Sequence, residues 1–282
     1  MTPNTGTDQT SNFQSAVNAA QSQNLPLFIP PGVYKITTVN ITSPVEIYST
    51  QRGAYIEGYS QAPQISIAPS GYISYAKLSD LTIDGQGQAF PGSPSDAGLI
   101  QASQVGNLII ENCSVNNSAI DGIFLNGLAG PAILIGNNID TAAKFGIFSS
   151  NSNVQIRNNR VTNSGNGGIA IYESSETGND SIVSGNTIAQ TGATSGGTGQ
   201  WGNAISVFMS DYVMVTNNII YSSAFSSIRY NNSSFAQILG NSCYGSGETA
   251  IVIEAPGPGG SFAGGIISNN IVDTAGGGIG VG

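Results

Sequence analysis

Three side chains carry most of the acid–base and charge chemistry this sequence offers: Glu173, Arg229 and Glu254. Only 8% of the 282 residues are charged and there is no histidine, so proton transfer falls to carboxylates, lysine, arginine or tyrosine. Two carboxyl groups about 5 to 9.5 Å apart, one protonated and one ionised, hydrolyse a glycosidic bond. A lyase instead removes the proton beside a uronic carboxylate, which takes a base and a cation, and Tyr230, Lys144 or Arg229 would have to serve. Glu176 and Asp180, in the segment after Glu173, are the further carboxylates that could pair with Glu254. The clustered Asp and Glu of a calcium site are absent from the leading strands defined below, so no metal and no cofactor is expected. The plainer reading of Arg229 and Glu254 is a salt bridge between neighbouring strands, and Asp121 with Lys144 reads as a second surface pair.

Aromatic residues surround these charges. Phe124, Phe148, Tyr172 and Phe208 recur on the outward side of successive strands, with Trp201, Tyr230 and Asn231 nearby. An exposed aromatic column beside Asn and Ser offers stacking faces and hydrogen bonds to a sugar chain. The competing reading is that the rings stack on one another for stability. Trp201, the only Trp, either walls a subsite or pins a glycine-rich loop.

A repeat must bring such distant residues together. The first buried position of each leading strand is Leu99, Ile123, Ile147, Ile169, Ile205, Ile228, Ile251 and Ile279, with steps of 24, 24, 22, 36, 23, 23 and 28. Asn112, Asn138, Asn159, Asn186, Asn218, Asn241 and Asn270 keep the same beat. The period suits one turn of a solenoid; Ile, Val, Asn and Gly in place of a Leu-rich pattern argue against leucine-rich repeats. Strands too short to bury their own apolar face must stack on the copies above and below. The expected fold is all-β, a single-stranded right-handed parallel β-helix with three short strands per coil and coils of about 22–28 residues. The Asn column is scaffold: Asn tolerates the left-handed conformation at a sharp corner and its amide bonds the next rung.

Phe13, Ala16, Val17 and Ala20 mark a capping helix over 8–23 with Asp8 as N-cap, and "LFIPPGVYKI" reads as strand, turn and strand. One domain is expected, with first coils at 25–96, regular coils at 97–282 and long loops at 174–181 and 190–203. Loops on a solenoid carry binding sites.

Other classes fall away. A net charge of −9 opposes nucleic acid, and no apolar run is long enough for a membrane span. Cys113 and Cys243 lie five rungs apart, about 24 Å at the inter-strand spacing, so they are expected to be buried and unbridged. Asp84 in "LTIDGQG" reads as a turn cap, and "GGTG" and "GPGG" lack the Lys and helix of a phosphate loop.

The helix, "PLFIPPGVYKI", "LTIDGQG" and the stacked coils together resemble the pectin-lyase-like right-handed β-helix superfamily, which includes polysaccharide lyases, polygalacturonase-type hydrolases and phage tailspikes. Within it, "SGGTGQWGNAISVFMSD", "FSSIRYNNSS", "QILGNSCYGSGETAIVIEA" and "ISNNIVDTAGGGIGV" are similar to the TAT-translocated repetitive β-helix proteins of bacteria. That resemblance implies an exported, periplasmic or extracellular protein. The chain departs from it in lacking a twin-arginine signal and in stopping inside a leading strand, which reads as a trimmed C-terminus. The expected partner is a polysaccharide or cell-surface glycan, cleaved or simply bound in a groove on the leading sheet. Glu173, Arg229 and Glu254 are then the candidate catalytic set, and Phe124, Phe148, Tyr172, Trp201, Phe208, Tyr230 and Asn231 the candidate binding set. The alternatives are a non-catalytic tailspike- or adhesin-like protein and a self-assembling β-helix, as a monomer or as an end-to-end or trimeric assembly.

Overall fold

Repetition with a short period becomes a stack of coils in the computed structural model, which describes residues 2–68, 70–194, 201–254 and 263–282, the side chains of 175–178 excepted. Each regular coil contributes a leading strand, a second strand and a third strand. The second strands form a ten-stranded parallel sheet from Leu27–Phe28 to Gly265–Ser268, while the third and leading strands belong to one 18-stranded sheet that bends between them. This is a right-handed parallel β-helix.

Register follows the apolar pattern. Ile123, Ile147, Ile169, Ile205, Ile228, Ile251 and Ile279 pair in one unbroken column. All are buried except Ile279, on the last rung. The first marker is displaced by one: Ile123 pairs with Ile100, not Leu99. Leu99 is also buried, because it turns at the corner onto Gly85, where an added Cβ would lie 2.6 Å from Leu99 Cδ2. Part of the 36-residue interval is taken up by a bulge. Gly167–Gly178 pairs with Asn203–Asp211 through Tyr172 opposite Phe208, then slips to Thr177 opposite Ser210.

The helix Thr10–Gln23 begins two residues later than expected. Asp8 is drawn into a parallel bridge with Lys35, and its Oδ1 accepts from the Thr10 N–H at 2.9 Å and hydroxyl at 2.5 Å. Phe13, Val17 and Ala20 are its buried face. Gln14 then donates to the Asn40 carbonyl and accepts from its N–H, so the helix covers the first open strand edge.

The corner between second and third strands needs two adjacent residues rather than one. The first is left-handed: Asn112, Gly136, Asn158, Gly185, Asn217, Gly240 and Asn269 all have φ between 52° and 68°. The second carries the ladder amides, Asn137, Asn159, Asn186, Asn218, Asn241 and the partly buried Asn270, each accepting through Oδ1 from the backbone N–H one rung before it. From Asn137 to Asn241 each Nδ2 donates to the next Oδ1 and to a carbonyl of the preceding coil. Two of the expected column members are therefore replaced: Asn112 is the left-handed residue, with Cys113 in the ladder position, and Asn137, not Asn138, is the rung. Cys113 and Cys243 are buried free thiols, and burial pushes the Cys113 thiol up to about 12.

Asp84 does cap its turn. It accepts from the Gln86 N–H at 2.9 Å, from Asn117 Nδ2 and from the Tyr55 hydroxyl at 2.5 Å. Burial, then the bond and charge of Asp84, pushes Tyr55 up to about 12.

Candidate functional site

Alternation along the leading strands sends two residues per rung outward. One column reads Gln101, Phe124, Phe148, Ala170, Ser206, Arg229, Val252; the other reads Ser103, Asn126, Ser150, Tyr172, Phe208, Asn231, Glu254. The aromatics change column midway. Phe124 and Phe148 stand in the first, opposite the small or polar Asn126 and Ser150; Tyr172 and Phe208 stand in the second, opposite Ala170 and Ser206. The small partners leave the room that makes the aromatic run a continuous diagonal.

Centroids are 5.5 Å apart for Phe124–Phe148, 6.1 Å for Phe148–Tyr172 and 5.2 Å for Tyr172–Phe208, with interplanar angles of 51°, 77° and 4°. The rings therefore do stack on one another, as the plainer reading has it. They also line a groove of about 470 Å³ together with Asn126, Ser150 and Ser206, each ring being half-buried. Its wall stands at the entry of the leading strands. Trp201 stacks on Phe145 at 5.6 Å and 28°, and Phe145 packs on Phe148 at 5.3 Å. Beside them, Lys144 donates to the Ser95 carbonyl and lies 3.7 Å from Asp96. Residues 195–200 of the 190–203 excursion lie outside the described residues.

Beneath the Phe145 wall sits Asp121, which is not the surface partner of Lys144. It is fully buried, and its Oδ1 accepts from the Phe145 N–H at 2.9 Å. Burial raises its carboxyl from the usual 3.8 to about 8, with Asp96 adding to the rise and Lys144 opposing it. Asp121 opens its strand between two neighbouring coils, its N–H donating to the Ala97 carbonyl and its Oδ1 accepting from the Phe145 N–H; the charge pattern of the sequence alone gave no sign of this.

The charged trio separates. Arg229 forks onto Glu254, Nε to Oε2 at 3.0 Å and Nη2 to Oε1 at 2.6 Å, and Asn231 Nδ2 adds a bond to Glu254 Oε2 at 2.9 Å. Glu248 lies 3.6 Å from the same guanidinium. Arg229, Glu248 and Glu254 line a second hollow of about 550 Å³ at the far end of the leading sheet. Glu173 does not join them. Its side chain is buried, accepts from Asn179 Nδ2, and has its carboxyl raised by burial. It follows Tyr172 by one position, so the pleat turns it to the opposite side, away from the groove. The side chain of Glu176, one of the two suggested partners of Glu254, lies outside the described residues.

Tyr230 is a correction of the same kind. It stands two positions after Ile228, on the inward beat, where it is fully buried with its hydroxyl donating to the Val213 carbonyl at 3.0 Å. Burial raises its phenol, and it is core, not a binding or proton-transfer group. Sequence reasoning missed Phe145, although an aromatic at the strand entry two residues before Ile147 was there to be read as a wall.

Known proteins share this architecture at low identity. The A-module of the mannuronan C-5 epimerase AlgE6 of Azotobacter vinelandii superposes with a TM-score of 0.54 at 16% identity, covering 98% of this chain and 94% of its own. The Yersinia enterocolitica family 28 exopolygalacturonase gives 0.56 at 12%, covering 99% and 76%. The Dettilon tailspike protein gives 0.58 at 15%, covering 99% and 66%. No curated protein matches the sequence. The right-handed β-helix region family matches residues 12–198. The match spans most of the stacked coils, and the chain belongs to the right-handed β-helix family.

Proposed function

We propose that the protein binds a polysaccharide along the outer face of its leading sheet, with Phe124, Phe148, Tyr172, Phe208 and Trp201 as the apolar platform. The observation that carries this reading is the aromatic diagonal itself: rings on four consecutive rungs stay half-exposed in one groove instead of being buried. Sugar rings pair apolar faces with hydroxyl rims, and the groove pairs aromatic rings with Asn126, Ser150 and Ser206. Asn231 continues the polar margin toward Arg229 and Glu254. An alginate lyase and a pneumococcal surface adhesin among the structural neighbours fit the reading without supplying it.

Binding is favoured over cleavage by the state of the carboxylates. Asp96 is the one carboxylate lining the aromatic groove among the described residues, and it is paired with Lys144. Glu254 is held by Arg229 and Asn231. Glycan-array binding followed by affinity measurement on the wild type and on Tyr172→Ala and Phe208→Ala tests the proposal. Binding that falls in both variants supports it; binding unchanged by either overturns it. Release of reducing ends or unsaturated product by the wild type would replace the binding reading with an enzymatic one.

A further inference from the structure

We propose that the leading groove takes an uncharged glycan and discriminates against polyuronates; this deepens the glycan-binding reading and rests on it. Five charged side chains line the two hollows of the leading face among the described residues: Asp96 and Lys144 in the aromatic groove, and Arg229, Glu248 and Glu254 in the hollow beyond it. Three are acidic and two basic, and both cations are already matched. Lys144 is held by Asp96 and the Ser95 carbonyl. Arg229 is forked on Glu254, flanked by Glu248 and only 8% exposed.

The chain has seven basic residues in all, and the other five stand elsewhere. Lys35, Lys77, Arg157 and Arg160 lie on second or third strands, where Lys35 pairs with Glu57 and Lys77 with Glu46 and Glu111. Arg52 spends its guanidinium on the Asn112 and Gly136 carbonyls at the far corner. A polyuronate presents one carboxylate per sugar. To settle in the groove it must shed water from each one without a cation to receive it, or displace Asp96 or Glu254 from its partner. The net charge of −9 opposes its approach as well. The hydroxyls of a neutral sugar meet no such penalty. Gln101, Ser103, Asn126 and Ser150 all both donate and accept.

The test is equilibrium binding of the intact protein to a panel of neutral polysaccharides, to polygalacturonate and alginate, to the carboxyl-reduced form of each, and to polyglucosamine. The polyuronate arms are run with and without calcium. A neutral or carboxyl-reduced polymer is expected to bind at least about tenfold more tightly than any polyuronate. A polyuronate that binds as tightly as its reduced form, in either calcium condition, overturns the inference, as does preference for polyglucosamine. Failure of every polymer to bind overturns the glycan reading itself. Asp96→Asn provides the second arm: releasing Lys144 is expected to raise polyuronate affinity by about 3- to 10-fold, with the gain lost in high salt. No gain in that variant overturns the pairing argument.

Discussion

Two ladders climb this solenoid on different sides of the coil. At the corner between second and third strands, Asn137, Asn159, Asn186, Asn218, Asn241 and Asn270 stack amide on amide; on the leading sheet, Phe124, Phe148, Tyr172 and Phe208 stack ring on ring. Both arise from one cause, the parallel register that sets equivalent residues about 4.8 Å apart. They differ in what is left over. The amides from Asn137 to Asn241 are buried, with both Oδ1 and Nδ2 engaged inside the protein, whereas the rings keep part of their surface for the groove. Stacking across rungs is therefore evidence of fold, and only the unsatisfied remainder is evidence of a ligand.

The largest effect expected from breaking this contrast lies in the buried ladder. Asn159→Ala removes the acceptor of the Asn137 N–H and Nδ2 and the donor to the Leu134 carbonyl and Asn186 Oδ1. Several buried polar groups are left unpaired, a loss of about 3–5 kcal/mol. Equilibrium urea denaturation would measure it. Glycan binding by the fraction that remains folded is expected to be unchanged.

Next comes the pH response built into the groove wall. Asp121 titrates near 8 in the folded protein and near 3.8 when unfolded, so the folded state holds the proton more tightly. Its contribution is fully present below about pH 4 and is lost as pH rises toward about 8, which makes unfolding easier on the alkaline side. Glu173, also raised, contributes in the same direction. Asp121→Asn keeps an acceptor for the Phe145 N–H and is expected to flatten that decline, read as thermal midpoints between pH 4 and 9. A parallel decline in wild type and variant would place the titration elsewhere.

On the exposed ladder the expectation reverses. Phe208→Ala leaves a half-exposed site on the outer face and is expected to cost little stability, while weakening polysaccharide binding by about 10-fold or more through lost ring contact. Loss of stability without loss of binding would make the rings mere scaffold and erase the distinction between the ladders.

How much of this the sequence disclosed follows the same division. The period, the column from Ile123 to Ile279 and the outward aromatics were legible because alternation with a period of two is a local pattern that stacking preserves. Leu99 for Ile100 and Asn138 for Asn137 were off by one because a corner has no such period. Tyr230 and Glu173 went astray through the pleat: each sits one residue from an outward side chain, and chemical type outweighed position. Asp121 was illegible, since its surroundings come from the coils before and after it, at Ala97 and Phe145.

The finest test acts on the left-handed corner residues, which alternate Asn and Gly from Asn112 to Asn269. A Cβ added at Gly185 would lie 2.4 Å from Asn158 Oδ1, and one at Gly136 or Gly240 would lie 2.6 Å from the Oδ1 of Asn112 or Asn217. Each Asn thus fills the space that the next rung must leave empty, and a second Asn directly above has nowhere to go. Gly185→Asn alone is expected to destabilise, and Asn158→Gly alone to cost a few tenths to about 1 kcal/mol from chain entropy. Adding Asn158→Gly to Gly185→Asn should recover about 1–2 kcal/mol relative to the sum of the single changes, because the clash with Asn158 disappears while the one with Asn217 on the next rung remains. A double-mutant cycle by urea denaturation reads that coupling; a value near zero would mean that the alternation reflects conformational preference alone and that the corner, unlike the buried amides beside it, does not communicate between rungs.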